Sequence, residues 1–86
     1  MEDIEQRIRQ LEDEAFAAQH EGYHDKAIGF ATSALDLARQ HFGEDHIQFA
    51  AVLHVLAVLY DAEGKSDRAI PLLERALVDA GLAESK

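Results

Sequence analysis

Several features are missing from this 86-residue sequence, and each absence excludes a class of protein. There is no cysteine, which excludes a disulfide scaffold and thiolate chemistry. No apolar run approaches the roughly 18 residues that a membrane span needs. No basic-plus-apolar leader opens the chain. We therefore expect a soluble, cytoplasmic protein with one modest core and no membrane partner.

Basic residues are also scarce. Eight Lys and Arg stand against seventeen Asp and Glu, which gives a formal net charge of −9. Proteins that bind nucleic acids use Lys and Arg to replace the counterions along the phosphates. Nucleic acid is therefore not an expected partner. The acidic surface would suit a basic partner, although such a surface more commonly serves solubility.

What the sequence does contain is an internal repeat with a period of 42 residues. The segment GYHDKAI at 22–28 returns as GKSDRAI at 64–70, and Ala34-Leu35 returns as Ala76-Leu77. A period of this length indicates supersecondary units that stack on one another. We expect a single domain over 1–86, with repeat one at about 5–43 and repeat two at about 47–81.

Hydrophobic periodicity predicts the secondary structure of each repeat. Apolar residues recur at steps of three and four, which places them on one face of a helix. The fold class is therefore all-α, with four antiparallel helices at about 2–20, 24–41, 46–62 and 67–80. Glycine can close a helix in the left-handed conformation, and Gly22, Gly43 and Gly64 follow the first three helices.

Two polar residues are candidates for helix caps. Asp45 is followed three residues later by Gln48, which is a capping-box pattern at the start of the third helix. Ser66 can cap the fourth helix.

The third helix is apolar on nearly every side, with only Gln48 and His54 polar between Ile47 and Tyr60. Such a helix must be covered almost all round. His54 has two interpretations. It is a hydrogen-bonding or pH-sensing group on a binding surface, or a partly buried histidine paired with a carboxylate such as Glu12. The second is favoured, because buried polar groups generally find partners.

These residues resemble a known family. The segment HIQFAAVLHVLAVLY at 46–60, followed by Gly64-Lys65 and by AIPLLERAL at 69–77, is similar to the tetratricopeptide repeat in the 42-residue form of kinesin light chains. The second copy carries small residues where helix pairs of the family approach closely: Ala57, Ala69 and Ala76. The first copy has Glu14 where leucine is usual, and it matches at Ala15, Gly22, Tyr23, Ala27 and Ala34.

The resemblance implies a non-enzymatic scaffold for protein–protein interaction. It implies two helix-turn-helix repeats in a short α-solenoid, with a peptide groove lined by the first helix of each repeat. The groove positions implied for the first helix are Arg9, Glu12, Asp13, Phe16, Gln19 and His20. Those implied for the third helix are Ala51, His54, Val55, Val58, Asp61 and Ala62. The sequence departs from the family at Glu12-Asp13 and His54-Val55, where an Asn-Asn pair commonly holds a peptide backbone.

Rival chemistries find little support. Glu21 and His24 have the spacing of a di-iron motif, but Gly22 interrupts the helix and no second motif of this kind is present. No arrangement for nucleophilic catalysis can be proposed. We expect no enzyme activity, no metal and no cofactor.

The fourth helix indicates self-association. Ile70, Leu73 and Leu77 lie on one face, at positions that a following helix would cover in the family. Exposing three such side chains is costly for a small domain, because burying each contributes roughly 1.5–3 kcal/mol. A homodimer that uses this face is the favoured hypothesis. The alternative is a monomeric adaptor whose groove binds a basic or amphipathic peptide, or a helix, of a different protein.

Overall fold

The computed structural model describes the backbone of residues 3–79 and the side chains of residues 3–75. This part of the chain forms four helices, which are α1 (Ile4–His20), α2 (His24–Phe42), α3 (Ile47–Ala62) and α4 (Ser66–Asp79). The predicted all-α architecture with two helix-turn-helix repeats is confirmed, and each predicted helix boundary is correct to within two residues.

The turn that joins the two helices is the same in both repeats. The N–H of Tyr23 donates to the carbonyl of Ala18 at 2.8 Å, and the N–H of Lys65 donates to the carbonyl of Tyr60 at 2.9 Å. The glycine of each turn has a positive φ, 90° at Gly22 and 82° at Gly64. A glycine adopts this conformation without a steric penalty, which explains why both turns carry one.

Both predicted caps are wrong in detail. The N-cap of α3 is His46, whose Nδ1 accepts the N–H of Gln48 at 3.0 Å. Asp45 lies one residue too early to cap a helix that begins at Ile47. Ser66 is the first residue of α4, and its hydroxyl donates to the carboxylate of Asp61 at 2.9 Å.

The four helices form a thin layer. Helix α2 packs against α1 and α3, α3 packs against α4 and touches α1, and α4 contacts α3 alone within the described helices. The Cα atoms extend over 42 × 38 × 14 Å. Consecutive helices therefore pack side by side, and each end of the layer presents one broad helical surface.

Alanines bring the paired helices close together. Ala15 and Ala27 are buried between α1 and α2, and Ala57 and Ala69 are buried in the second repeat. These are the positions at which the sequence predicts close contacts. Within the described side chains the buried residues are all apolar, although the Nδ1 atom of the half-buried His24 is itself buried.

Phe49 anchors α3 in the middle of the layer. Its ring is 1% exposed, and the guanidinium carbons of Arg39 and Arg75 lie 5.4 and 5.6 Å from the ring centre. The carboxylate of Glu44 accepts a hydrogen bond from Arg39 at 2.9 Å and one from Arg75 at 2.8 Å. This cluster connects α2, the loop after it and α4 across α3.

No helix of the described residues is both long enough and apolar enough to cross a membrane.

Candidate protein-interaction surfaces

The two ends of the layer can be compared directly, because each residue of repeat one has a counterpart 42 positions later. A counterpart pair occupies the same place in its own repeat. A difference in exposure therefore reports what the other repeat covers. This comparison identifies one polar end and one apolar end.

The polar end is the outer face of α1. Helix α3 packs against repeat one through buried apolar side chains: Phe49, Val52, Leu56 and Leu59. Their counterparts on α1 are all exposed, and three of the four are polar: Arg7, Gln10, Glu14 and Ala17. The outer face of α1 is thus built for contact with water.

The apolar end belongs to repeat two, and we call it the open face. It includes five residues that are more exposed than their counterparts in repeat one: Ile47, His54, Asp61, Ile70 and Leu73. Ile47 is 60% exposed and Ile70 is 53% exposed, whereas their counterparts Glu5 and Ile28 are half-buried. Two of the most exposed large aliphatic side chains in the described chain therefore lie on one face.

The predicted oligomer residues fall on this open face as far as they are described. Ile70 is exposed and Leu73 is half-buried. The side chain of Leu77 lies outside the described residues. Ile47 belongs to the same face, although the sequence prediction did not include it. The signal for Ile47 in the sequence is its counterpart Glu5, because an acidic residue of the first copy becomes an isoleucine in the second.

The predicted groove residues lie along α1 and α3, on what we call the α1–α3 surface, which shares His54 and Asp61 with the open face. None of them is buried. The half-buried members are Glu12, Gln19 and Val55. The exposed members are Arg9, Asp13, Phe16, His20, Ala51, His54, Val58, Asp61 and Ala62. Their role in binding stays a prediction, and their exposure leaves them accessible to a partner.

The α1–α3 surface joins apolar and acidic groups. Phe16 and Val58 are counterparts in the two repeats, and each is 40% exposed. Nearby along α1, burial raises the pKa of the Glu12 carboxyl, and the negative charge of Asp13 raises it further, although Arg9 opposes both effects. The charged form of Glu12 is therefore less favourable here than in water, and a cation beside the carboxylate would stabilise that form.

His54 does not have the environment that the sequence favoured. Its side chain is exposed, so its interpretation as a partly buried histidine paired with Glu12 is wrong. The reason is that no helix within the described residues covers repeat two on the side where repeat one meets α3. The other interpretation, a polar group on a binding surface, stays a prediction.

One contact between the repeats was missed by sequence reasoning. The Nδ1 atom of His24 lies 3.9 Å from the carboxylate of Glu63, and the Nζ of Lys65 lies 3.4 Å from the same carboxylate. The two turns that close the repeats are therefore neighbours. No group of three or more histidine, cysteine or acidic side chains within the described part of the chain is placed to hold a metal ion.

Comparison with known families supports the arrangement of helices. The model of the tetratricopeptide repeat matches residues 9–77, which is most of the chain. The chain belongs to the tetratricopeptide repeat family. Its helix pairs, glycine turns and close alanine contacts are those that the sequence led us to expect. No curated protein and no solved structure matched the chain. Tetratricopeptide repeats generally mediate protein–protein interaction.

Proposed function

We propose that this tetratricopeptide repeat chain is a non-enzymatic interaction module that self-associates through the open face of repeat two. The observation that supports the proposal most directly is the pair of exposed isoleucines, Ile47 and Ile70, on the side where repeat one is covered. Exposed apolar residues on one side of a domain are candidates for an interaction site. Ile47 lies at the start of α3 and Ile70 near the start of the antiparallel α4, so they mark opposite ends of this face.

The energy available from this face is modest. Fully burying an isoleucine contributes roughly 1.5–3 kcal/mol, and about half of that is still unrealised at Ile47 and Ile70. Four such side chains in a pair of molecules then contribute on the order of 3–6 kcal/mol, before Leu73 is added. Association costs at least about 4 kcal/mol in lost translation and rotation. The expected dimer is therefore weak and depends on concentration.

Charge favours the same face. The chain carries a net charge of −9, so two copies repel each other over most of their surface. The open face includes one acidic residue, Asp61, and its carboxylate already accepts a hydrogen bond from Ser66. A two-fold axis lets this patch cover its own copy. Added salt screens the remaining repulsion, and self-association should therefore strengthen as salt is raised.

Sedimentation equilibrium over a range of protein and salt concentrations tests the proposal. The wild type should rise above the monomer mass of 9.5 kDa as protein concentration and salt increase. Ile70→Glu should stay monomeric and helical, because this side chain is largely exposed. Gln10→Glu is the matched control, since it adds one negative charge to the polar end and should dimerise like the wild type.

Two results would count against self-association. One is a wild-type mass that stays at the monomer value at high concentration. The other is an equal loss of association in Ile70→Glu and Gln10→Glu, which would reflect added charge and not a specific face. If association appears only after removal of residues 80–86, the end of the chain itself covers the open face.

A second candidate function is the binding of a basic peptide on the α1–α3 surface. Phe16 and Val58 offer apolar anchors, and Glu12, Asp13 and Asp61 supply negative charge. A lysine or arginine next to Glu12 would offset the burial that raises its pKa. Attraction between opposite charges weakens as salt is raised, so this interaction has the opposite salt dependence from self-association. A peptide affinity that is constant from low to high salt would rule out this mode.

A further inference from the structure

The turns that close the two repeats meet at one edge of the layer, and a buried nitrogen atom lies in that contact. His24 is the first residue of α2, and Glu63 is the C-cap residue of α3. The Nδ1 atom of His24 is buried and has no hydrogen-bond partner within the described part of the chain. Because buried polar atoms generally have a partner, an unpaired one requires an explanation.

The group that faces this nitrogen is a carboxylate. The Oε2 atom of Glu63 lies 3.9 Å from Nδ1, and the Glu63 side chain is only 10% exposed, whereas that of His24 is 41% exposed. This distance is too long for a hydrogen bond. The other oxygen, Oε1, lies 3.4 Å from the Nζ of Lys65. The carboxylate can therefore keep its contact with Lys65 while it accepts a hydrogen bond from His24.

The enclosed carboxylate is a feature of the junction between the repeats. Glu21, which is the counterpart of Glu63 in repeat one, is exposed. Ser66, which is the counterpart of His24, donates its hydroxyl to Asp61. Both copies of the repeat thus carry a glutamate at this position, and the contact with the other turn is what encloses Glu63.

We propose that His24 and Glu63 form a proton-dependent link between the two repeats. A neutral imidazole has one N–H group, whereas an imidazolium has two. Protonated His24 can donate from Nδ1 to Glu63 and still offer its second N–H to water. A hydrogen bond between charged groups is shorter and roughly twice as strong as one between neutral groups. Protonation therefore draws the two turns together, and loss of the proton weakens the link.

Glu63 is the group that must stabilise the protonated form. The titratable residues beside His24 on α2 and at the end of α1 are all exposed: His20, Glu21, Tyr23, Asp25 and Lys26. At the end of α3, Tyr60 is half-buried, and Asp61 accepts the hydrogen bond from Ser66. Among the described residues, none of these forms an ion pair or hydrogen bond with His24. The positive end of the α2 dipole opposes a charge on His24, which leaves the carboxylate of Glu63 to favour it.

A double-mutant cycle at two pH values tests the link. The stabilisation is present while His24 is protonated and is lost as pH rises through the range in which histidine titrates. Wild type, His24→Gln, Glu63→Gln and the double variant are unfolded with urea at about pH 5.5 and about pH 8.5. At the lower pH, His24→Gln should reduce the folding equilibrium constant by roughly three- to tenfold more than at the higher pH. In the Glu63→Gln background that difference should disappear.

His54→Gln is the matched control, because it removes an exposed imidazole from α3 by the same substitution. Its effects at the two pH values should agree to within about twofold. A second measurement does not depend on unfolding. Nitrogen-15 NMR of the wild type at the lower pH should show the Nδ1–H of His24 protected from exchange with water, and this protection should be lost in Glu63→Gln.

Three results would overturn the inference. The first is an equal loss for His24→Gln at both pH values. The second is a pH effect of His24→Gln that persists in the Glu63→Gln background, which would mean that Glu63 is not the partner. The third is a coupling of the same size between His54→Gln and Glu63→Gln. None of these results depends on the proposed self-association, because the link lies at the turns and not on the open face.

Discussion

Truncation of Phe49 tests the account of how the two repeats are held together. The ring is 1% exposed, and it lies under two guanidinium groups that share the carboxylate of Glu44. Phe49→Ala removes the ring and leaves a cavity between α2, α3 and the charged cluster. The arginines lose the aromatic surface below them but keep their hydrogen bonds to Glu44.

The expected loss of stability is large for a domain of this size. Phenylalanine-to-alanine changes in a core cost about 3–5 kcal/mol. Each cation–π contact near a surface adds about 0.5–1 kcal/mol to the contribution that the ring makes to the free energy of unfolding. A domain of this kind has a total stability of about 5–15 kcal/mol. One kcal/mol shifts the midpoint of a small domain by about 4–8 °C, so Phe49→Ala should lower the melting temperature by about 12 °C or more.

Thermal unfolding followed by circular dichroism measures this effect. Arg7→Ala is the matched control, because Arg7 is the counterpart of Phe49 in repeat one and is exposed. Surface changes of this kind usually stay within about 0.5 kcal/mol. The reasoning would be refuted if Phe49→Ala cost less than about 1 kcal/mol, or if the two truncations had equal effects.

Three further changes probe packing and titration. Ala69→Leu should cost about 1–3 kcal/mol by forcing α3 and α4 apart, while the exposed Ala51→Leu should leave the unfolding midpoint nearly unchanged. The hydrogen bond from Arg75 lowers the pKa of Glu44, so its stabilisation is present above the pKa of the unfolded chain and is lost as pH falls. Denaturation at several pH values should therefore show Glu44→Gln as less stable at neutral pH and equal to the wild type in acid. Burial raises the pKa of Glu12, so the wild type should gain stability as pH falls through that pKa. Glu12→Gln should be more stable at neutral pH and lose this gain, and an unchanged pH profile would contradict the burial of Glu12.

The helices and turns could be predicted from the sequence because their causes are local. A glycine after an amphipathic segment ends a helix through its own backbone conformation, and the turn at Gly22 is repeated at Gly64 for that reason. Alanines at helical spacing indicate close approach of neighbouring helices. These signals need only the residues within one turn or one helix pair.

The side-chain contacts between elements could not be predicted in the same way. Glu44 and Arg75 are 31 residues apart, and only the packing of α4 on α3 brings them together. The cap at His46 was missed because aspartate is the stronger general candidate and stands next to it. The exposure of His54 reflects the lack of a covering helix among the described residues, and the apolar pattern of α3 contains no information about such a neighbour.

The two copies of the repeat carry identical residues at positions where the backbone accepts few alternatives, and they differ at exposed positions. Gly22 and Gly64, like Ala27 and Ala69, are identical because a turn and a close helix contact accept few other residues. Exposed positions have no such limit. The exposed Arg7 is therefore compatible with its helix pair, although its counterpart in repeat two is the buried Phe49. Two consecutive repeats can in this way present one polar surface and one apolar surface on the same scaffold. The polarity of its ends, and not its helical framework, then determines which surfaces are available for association.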